Sequence, residues 1–159
     1  MKFLVVGIGS SLHHDDVFGL EVLKELSKNK DLSHDVRMAT LGTELDLLLE
    51  LKESNYRGII IVDAVDKGGE PGTLYLVEPE IENLTGSVKD LGISLHEVDL
   101  SKTFALARRL GLLPKRVLIV GCQPKDTTLG IGMSGEVKRA VSRAVKIIRE
   151  KIKEWEEST

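Results

Sequence analysis

The chain has 159 residues, 42% of them apolar and 30% charged, and a formal net charge of −3. That length holds one domain with core enough to need no staples, and the mild negative balance gives no electrostatic footprint for nucleic acid or an anionic membrane. Its dense apolar runs, such as Gly58 to Val62, are far short of the roughly 20 residues that a membrane helix requires.

The chain opens directly on a strand pattern, with no signal-peptide pattern before it. Phe3 to Val6 is a continuous apolar run, long enough for a strand buried on both faces. Gly7 and Gly9 permit a tight turn, and a polar loop then ends in Asp15-Asp16. Val17, Leu20, Leu23 and Leu26 recur at helical spacing and predict a helix from about Asp16 to Asn29. Strand, glycine turn and helix together form the opening of a parallel α/β unit, whose functional loops lie at the carboxyl ends of the strands. A second short strand is expected over Asp35 to Thr40. Thr43 can cap the next helix, which carries Leu45, Leu48, Leu49 and Leu51.

Gly58 to Val62 is the second buried strand and ends at Asp63-Ala64. The turn chemistry of Gly68-Gly69-Glu70-Pro71-Gly72 reverses the chain into Thr73 to Val77, an expected antiparallel strand. Glu78 to Ser94 has no periodicity and reads as loop. Asp99 or Ser101 can cap a helix bearing Phe104, Leu106 and Leu110, which Gly111 and Pro114 stop. Val117 to Val120 is the third buried strand. Cys122 follows it, a lone cysteine that excludes an internal disulfide and fits a reducing, cytoplasmic compartment; a core thiol is the preferred reading over a nucleophile. Gln123 to Met133 is a glycine-rich loop. The last helix starts near Ser134 and carries the stripe Val137, Val141, Ala144, Ile148, Ile152 and Trp155; its many Lys and Arg read as a solvated face. The order β-α-β-α-β-β-α-β-α predicts one domain over residues 1–159: a doubly wound, mostly parallel sheet with helices on both faces and one antiparallel strand.

The first loop fails the tests of the better-known glycine motifs. A dinucleotide fingerprint needs a third glycine where Leu12 stands, and an acid at the end of the second strand, where Arg37 to Thr40 stand. A P-loop needs Gly-Lys-Ser/Thr, which is absent, and Asp15 and Asp16 would repel a phosphate. A loop that presents acid suits a cation. Adjacent parallel strands lie about 4.8 Å apart, so loops at their carboxyl ends converge. That topology gathers Asp16, Asp63 and His96 over one crevice. Two carboxylates and an imidazole suit a borderline divalent ion such as zinc or nickel, with coordination positions left open. Each residue has a plainer alternative. Asp15 or Asp16 could cap the first helix, Asp63 could accept hydrogen bonds from the turn after it, and His96 could be a solvated loop histidine. His13 and His14 read as exposed imidazoles, with further ligation as the alternative. No G-x-S-x-G elbow is present.

Gly7-Ile8-Gly9, Leu12, Asp15-Asp16 and Gly19 resemble the N-terminal signature of the hydrogenase maturation endopeptidases. Asp63-Ala64-Val65, Gly68 and Pro71-Gly72-Thr73 are similar to that family's central motif, and Ser94-Leu95-His96 with Leu100 to its histidine motif. Gly42-Thr43 and Gly130-Ile131-Gly132-Met133-Ser134 also match, and the likeness spans nearly the whole chain in order. Ser10 stands where the family usually has Asn, Thr40-Leu41 where an acidic-glycine pair commonly leads into Gly-Thr, and Gly135 where Pro often follows the serine.

The resemblance implies a doubly wound α/β protease that removes a short C-terminal extension from a [NiFe]-hydrogenase large-subunit precursor after nickel insertion. The family's metal-contacting acid maps onto Asp16, its central-strand acid onto Asp63 and its imidazole onto His96, the three residues chosen by topology. No metal is expected to be held tightly by the resting enzyme; these three residues are expected to engage nickel carried by the substrate. Recognition through nickel would spare the protease a deep side-chain pocket. Two readings from other classes stand beside this one: a non-catalytic metal- or nucleotide-binding module, and a scaffold docking through the basic last helix.

Overall fold

A computed structural model describes residues 2–32, 35–41, 44–79 and 100–158. In chain order they form β1 (Phe3–Ile8), a 3-10 turn (His14–Val17), α1 (Phe18–Ser27), β2 (Val36–Leu41), α2 (Glu44–Glu53), β3 (Gly58–Ala64), β4 (Leu74–Val77), α3 (Leu100–Arg109), β5 (Arg116–Cys122) and α4 (Gly135–Glu157). The five strands make one sheet in the order β2-β1-β3-β5-β4. β1 pairs with β2 and β3, and β3 with β5, all in parallel; β4 runs antiparallel to β5. The expected α/β sandwich is the one found. The strand after the glycine turn is antiparallel as expected, but its partner is β5, which lies between it and β3.

The unbroken apolar runs are explained by the two covered faces. Successive strand side chains point to opposite sides. Leu4, Val6, Ile59, Ile61, Val117 and Ile119 therefore face a core closed by Leu47 and Leu51 of α2 and by Phe104 and Ala107 of α3. Phe3, Val5, Ile60, Val62, Leu118 and Val120 face the other core, closed by Phe18, Val22 and Leu26 of α1 and by the stripe of α4. All six residues of β1 and all seven of β3 are buried. These central strands therefore fix the sheet, and their carboxyl ends carry the loops that form the site.

Two boundaries differ from the sequence reading. The α-helix expected from Asp16 begins at Phe18, because His14 to Val17 wind as a 3-10 turn first. It ends at Ser27, with Lys28 and Asn29 closing back on Glu25 and Leu26 through their backbone N–H groups. Gly42, Thr43 and the stretch from Glu80 to Asp99 lie outside the described residues, and with them the Thr43 cap, most of the expected Glu78–Ser94 loop and His96.

Candidate active site

Asp63 closes β3 and is fully buried, while Asp16 lies half-buried in the 3-10 turn after β1. Two backbone contacts bring the turn and the strand end together. Gly9 has φ near 150°, and a Cβ there would collide with the carbonyl of Asp16 while lying 3.9 Å from Asp63 Oδ1. A side chain cannot occupy that space, so glycine is required where the loop passes between the Asp16 carbonyl and Asp63. Gly19, in the first turn of α1, rests just as closely on the other side: a Cβ would meet Ile8 O at 2.6 Å and crowd Val62 O. The helix start is thus seated directly on the ends of β1 and β3. Ser10 N–H donates to Asp16 O at 3.2 Å and closes the loop. Asp63 Oδ1 accepts the N–H of Ala64 at 2.8 Å. The plainer role foreseen for this residue, bonding to the chain just beyond it, therefore also exists.

The structure assigns Asp15 and Asp16 different work. Neither caps α1, whose N-cap is Val17 with no side-chain cap bond. Asp15 is fully buried and turns away from the helix, into the loop between β5 and α4. Its Oδ2 accepts the N–H of Lys125 at 2.8 Å and of Asp126 at 3.0 Å. Its Oδ1 accepts the N–H of Ser134 at 2.7 Å, and the Ser134 hydroxyl reaches both oxygens, at 3.1 and 2.9 Å. Ser134 stands at the N-cap of α4, yet its hydroxyl makes no cap bond; it is spent on Asp15. Burial pushes the Asp15 carboxyl upward, but the backbone donors of Asp126, Ser134 and Lys125 and the Ser134 hydroxyl outweigh it and hold the group below its ordinary value.

Backbone bonds complete this clamp. Asp15 N–H donates to Asp126 O, His14 N–H to Gly130 O and Gly130 N–H to Leu12 O, at 2.9, 3.0 and 2.8 Å. His13 pairs with Gly130 as an isolated parallel bridge. The two histidines read as exposed are half-buried and bonded. His13 Nδ1 shares a 3.0 Å hydrogen bond with Ser10 Oγ, which also accepts the N–H of Leu12 at 3.2 Å. His14 Nδ1 lies 2.9 Å from Gly132 O and so must carry the proton it donates there. Ser10 thus ties down the loop in which it stands.

The second loop of the site, Val65 to Thr73, hangs on Gln123, a buried residue that the sequence reading assigned only to a loop. Its Oε1 accepts from Lys67 N–H, Gly69 N–H and Tyr75 O–H, at 2.8, 3.2 and 2.7 Å, and its Nε2 donates to Asp66 Oδ1 at 2.9 Å. Its backbone N–H donates to Thr73 O, and its carbonyl accepts from Gly72 N–H. Arg143 of α4 adds a 2.8 Å bond to Gly72 O, and Lys151 of the same helix pairs with Glu78 at 2.7 Å. The basic helix is therefore more than a solvated face, since two of its cations hold the chain to itself. Cys122 is fully buried in the core on the α1/α4 face, as expected, and burial raises its thiol to about 12, which does not suit a nucleophile.

No group of three or more His, Cys, Asp or Glu among the described residues stands close enough to hold a metal ion. Asp16 and Asp63 are two of the three expected ligands, and the third, His96, lies outside the described residues. What the described residues supply is an acid-bearing turn and a buried strand-end acid, set beside each other at the carboxyl edge of β1 and β3. Both are braced by loops whose buried polar groups are bonded.

The sequence model of a hydrogenase maturation protease family matches residues 20–151. The hydrogenase expression/formation protein HupD of Rhizobium leguminosarum is 32% identical over 93% of this chain and 74% of its own length. Among solved structures, the hydrogenase maturating endopeptidase HybD from E. coli superposes with a TM-score of 0.79 at 26% identity, covering 97% of this chain and 93% of that one. A hydrogenase 2 maturation peptidase from a Thaumarchaeota archaeon superposes with a TM-score of 0.72 at 31% identity, covering 96% and 98%.

Proposed function

We propose that this chain, which belongs to the hydrogenase maturation protease family, removes the C-terminal extension of a [NiFe]-hydrogenase large-subunit precursor once nickel is in place, and that Asp16, Asp63 and His96 engage that nickel. The observation that carries the reading is the seating of the Asp16 turn beside the buried acid of β3, where Gly9 lies against both. A pair of carboxylates held at the mouth of a parallel sheet is a partial ligand set. It is suited to complete the coordination of an ion that arrives already bound to something else.

The nickel in this scheme belongs to the substrate, where it can polarise the scissile carbonyl or acidify a water. Water adds its hydroxide to the carbonyl carbon, the carbon–nitrogen bond breaks, and the water proton passes to the departing amine through an oxygen of Asp16 or Asp63 not bound to the metal. Asp16 and Asp63 orient the loaded precursor so that the peptide bond lies over the crevice. A precursor without nickel lacks the partner for this ligand set and is passed over.

The test is to incubate the protein with nickel-loaded and nickel-free precursor and to read the mass of the large subunit. Cleavage of the loaded form alone is expected. Asp16→Asn, Asp63→Asn and His96→Ala should each abolish it while keeping the far-UV circular dichroism and melting temperature of a folded protein. Normal processing by any of the three, or cleavage of nickel-free precursor, would sink the scheme. Binding without a mass change would favour the non-catalytic module.

A further inference from the structure

Three large aliphatic side chains stand in solvent on the clamped loops: Leu12, exposed to 56%, Leu129 to 77% and Ile131 to 84%. Single exposed aliphatics are ordinary on a protein surface, but these three are not scattered. Leu129 and Ile131 flank Gly130, whose N–H is bonded to Leu12 O, and His13, next to Leu12, pairs with Gly130. The loops that carry them are among the most firmly tied in the molecule, through the buried Asp15 and the His14 ring. A tethered backbone that holds apolar side chains outward is a preorganised contact surface. It loses little freedom when it is covered.

We infer that Leu12, Leu129 and Ile131 are the apolar anchor on which the folded body of the precursor docks, beside the segment presented to Asp16 and Asp63. This rests on the processing reaction proposed above. Continuity points to the substrate as occupant: Leu12 and Asp16 belong to one loop, closed by the Ser10–Asp16 bond. Size points the same way. The three side chains offer on the order of 300 Å² of apolar surface, well under the roughly 800 Å² per partner of a stable association, so they suit a passing contact better than a permanent one with a second copy of this chain. The patch matches the centre of a transient interface, whose polar rim Lys125, Asp126, Thr127 and Thr128 would supply. The partner surface is therefore an apolar one on the folded precursor, next to its C-terminal extension.

The test is a steady-state comparison of wild type, Leu129→Ser/Ile131→Ser and the control Leu45→Ser/Leu49→Ser on nickel-loaded precursor. The control removes two exposed leucines from α2 instead. Serine at the anchor should raise KM about 10- to 50-fold, the loss of one or two interface hot spots, and leave kcat unchanged, whereas the control should match wild type. An unchanged KM, or a fall in kcat alone, overturns the inference. If wild type itself does not cleave, the processing reading fails separately, and the anchor is judged by titrating the nickel-loaded precursor, which then stays intact. Weaker binding by the anchor variant alone upholds it; equal binding, or none by wild type, overturns it. Sedimentation that shows a wild-type dimer and a monomeric anchor variant would assign the patch to self-association and also overturn it.

Discussion

Replacement of Asp15 by Ala tests whether a carboxylate outside the proposed ligand set holds the site together. The substitution removes the acceptor for three backbone N–H groups, those of Lys125, Asp126 and Ser134, and for the Ser134 hydroxyl. An orphaned buried donor costs about 1–3 kcal/mol. Lys125 and Asp126 are exposed residues, so water recovers part of that loss, and a net cost of roughly 3–5 kcal/mol is expected. In urea, at a slope of about 2 kcal/mol per molar, the unfolding midpoint falls by about 2 M. The sole tryptophan, Trp155, is buried against Phe3 at a ring-centroid distance of 6.0 Å and reports the transition. The pH dependence has a definite sign. Because the folded-state pKa of Asp15 lies below its unfolded value, its contribution is full above the unfolded value near 4 and is lost as pH falls through the folded one. The gap between wild type and Asp15→Ala should therefore be flat from about pH 5 to 8 and shrink in acid. A loss under about 1 kcal/mol at pH 7, or a gap that does not narrow on acidification, would refute the clamp.

Three further outcomes follow from the same geometry. Gly9→Ala should displace the Asp16 carbonyl and its turn, costing at least about 2 kcal/mol in denaturant and most of the processing activity. Gln123→Leu keeps the volume but strands Lys67 N–H, Gly69 N–H and Tyr75 O–H; amide exchange at Lys67 and Gly69 should accelerate at least tenfold, about 1.4 kcal/mol of lost protection, while β1 and β3 amides stay protected. Gly135→Pro places proline at the first position of α4, after a Ser134 whose ψ of 155° accommodates it. It should raise stability by about 0.5–1 kcal/mol in thermal melts, provided that the Arg139 guanidinium, 3.2 Å from the added Cβ, swings away.

Much of this fold is legible because its central strands are buried on both faces. Phe3 to Val6, Gly58 to Val62 and Val117 to Val120 can be read without alternation, and the stripe of α4 from Val137 to Trp155 needs only helical spacing. The acids at the ends of β1 and β3 follow from the topology those runs impose. The pairing of β4 was not legible: a turn rich in glycine reverses a chain locally, but β5, contributed some forty residues later, decides what lies alongside. The division of labour between Asp15 and Asp16 was hidden for the same reason. Adjacent in sequence, they part because Asp15 turns inward to meet backbone donors 110 and more residues away. Gln123 shows a similar limit. A single amide after a buried strand looks like loop until Lys67, Gly69 and Tyr75 are brought to it.

The close seating of Gly19 on Ile8 and Val62 has a mechanical consequence. At Gly19 the main chain of α1 rests directly on the main chain of both strand ends, so the helix start that follows the Asp16 turn cannot move further onto the sheet there without displacing backbone. That contact is made at folding and limits how far the neighbouring Asp16 turn can shift against Asp63. In the proposed scheme, adaptation to a substrate-borne ion of different radius would then fall largely to the precursor, and the protein would work as a gauge rather than a grip.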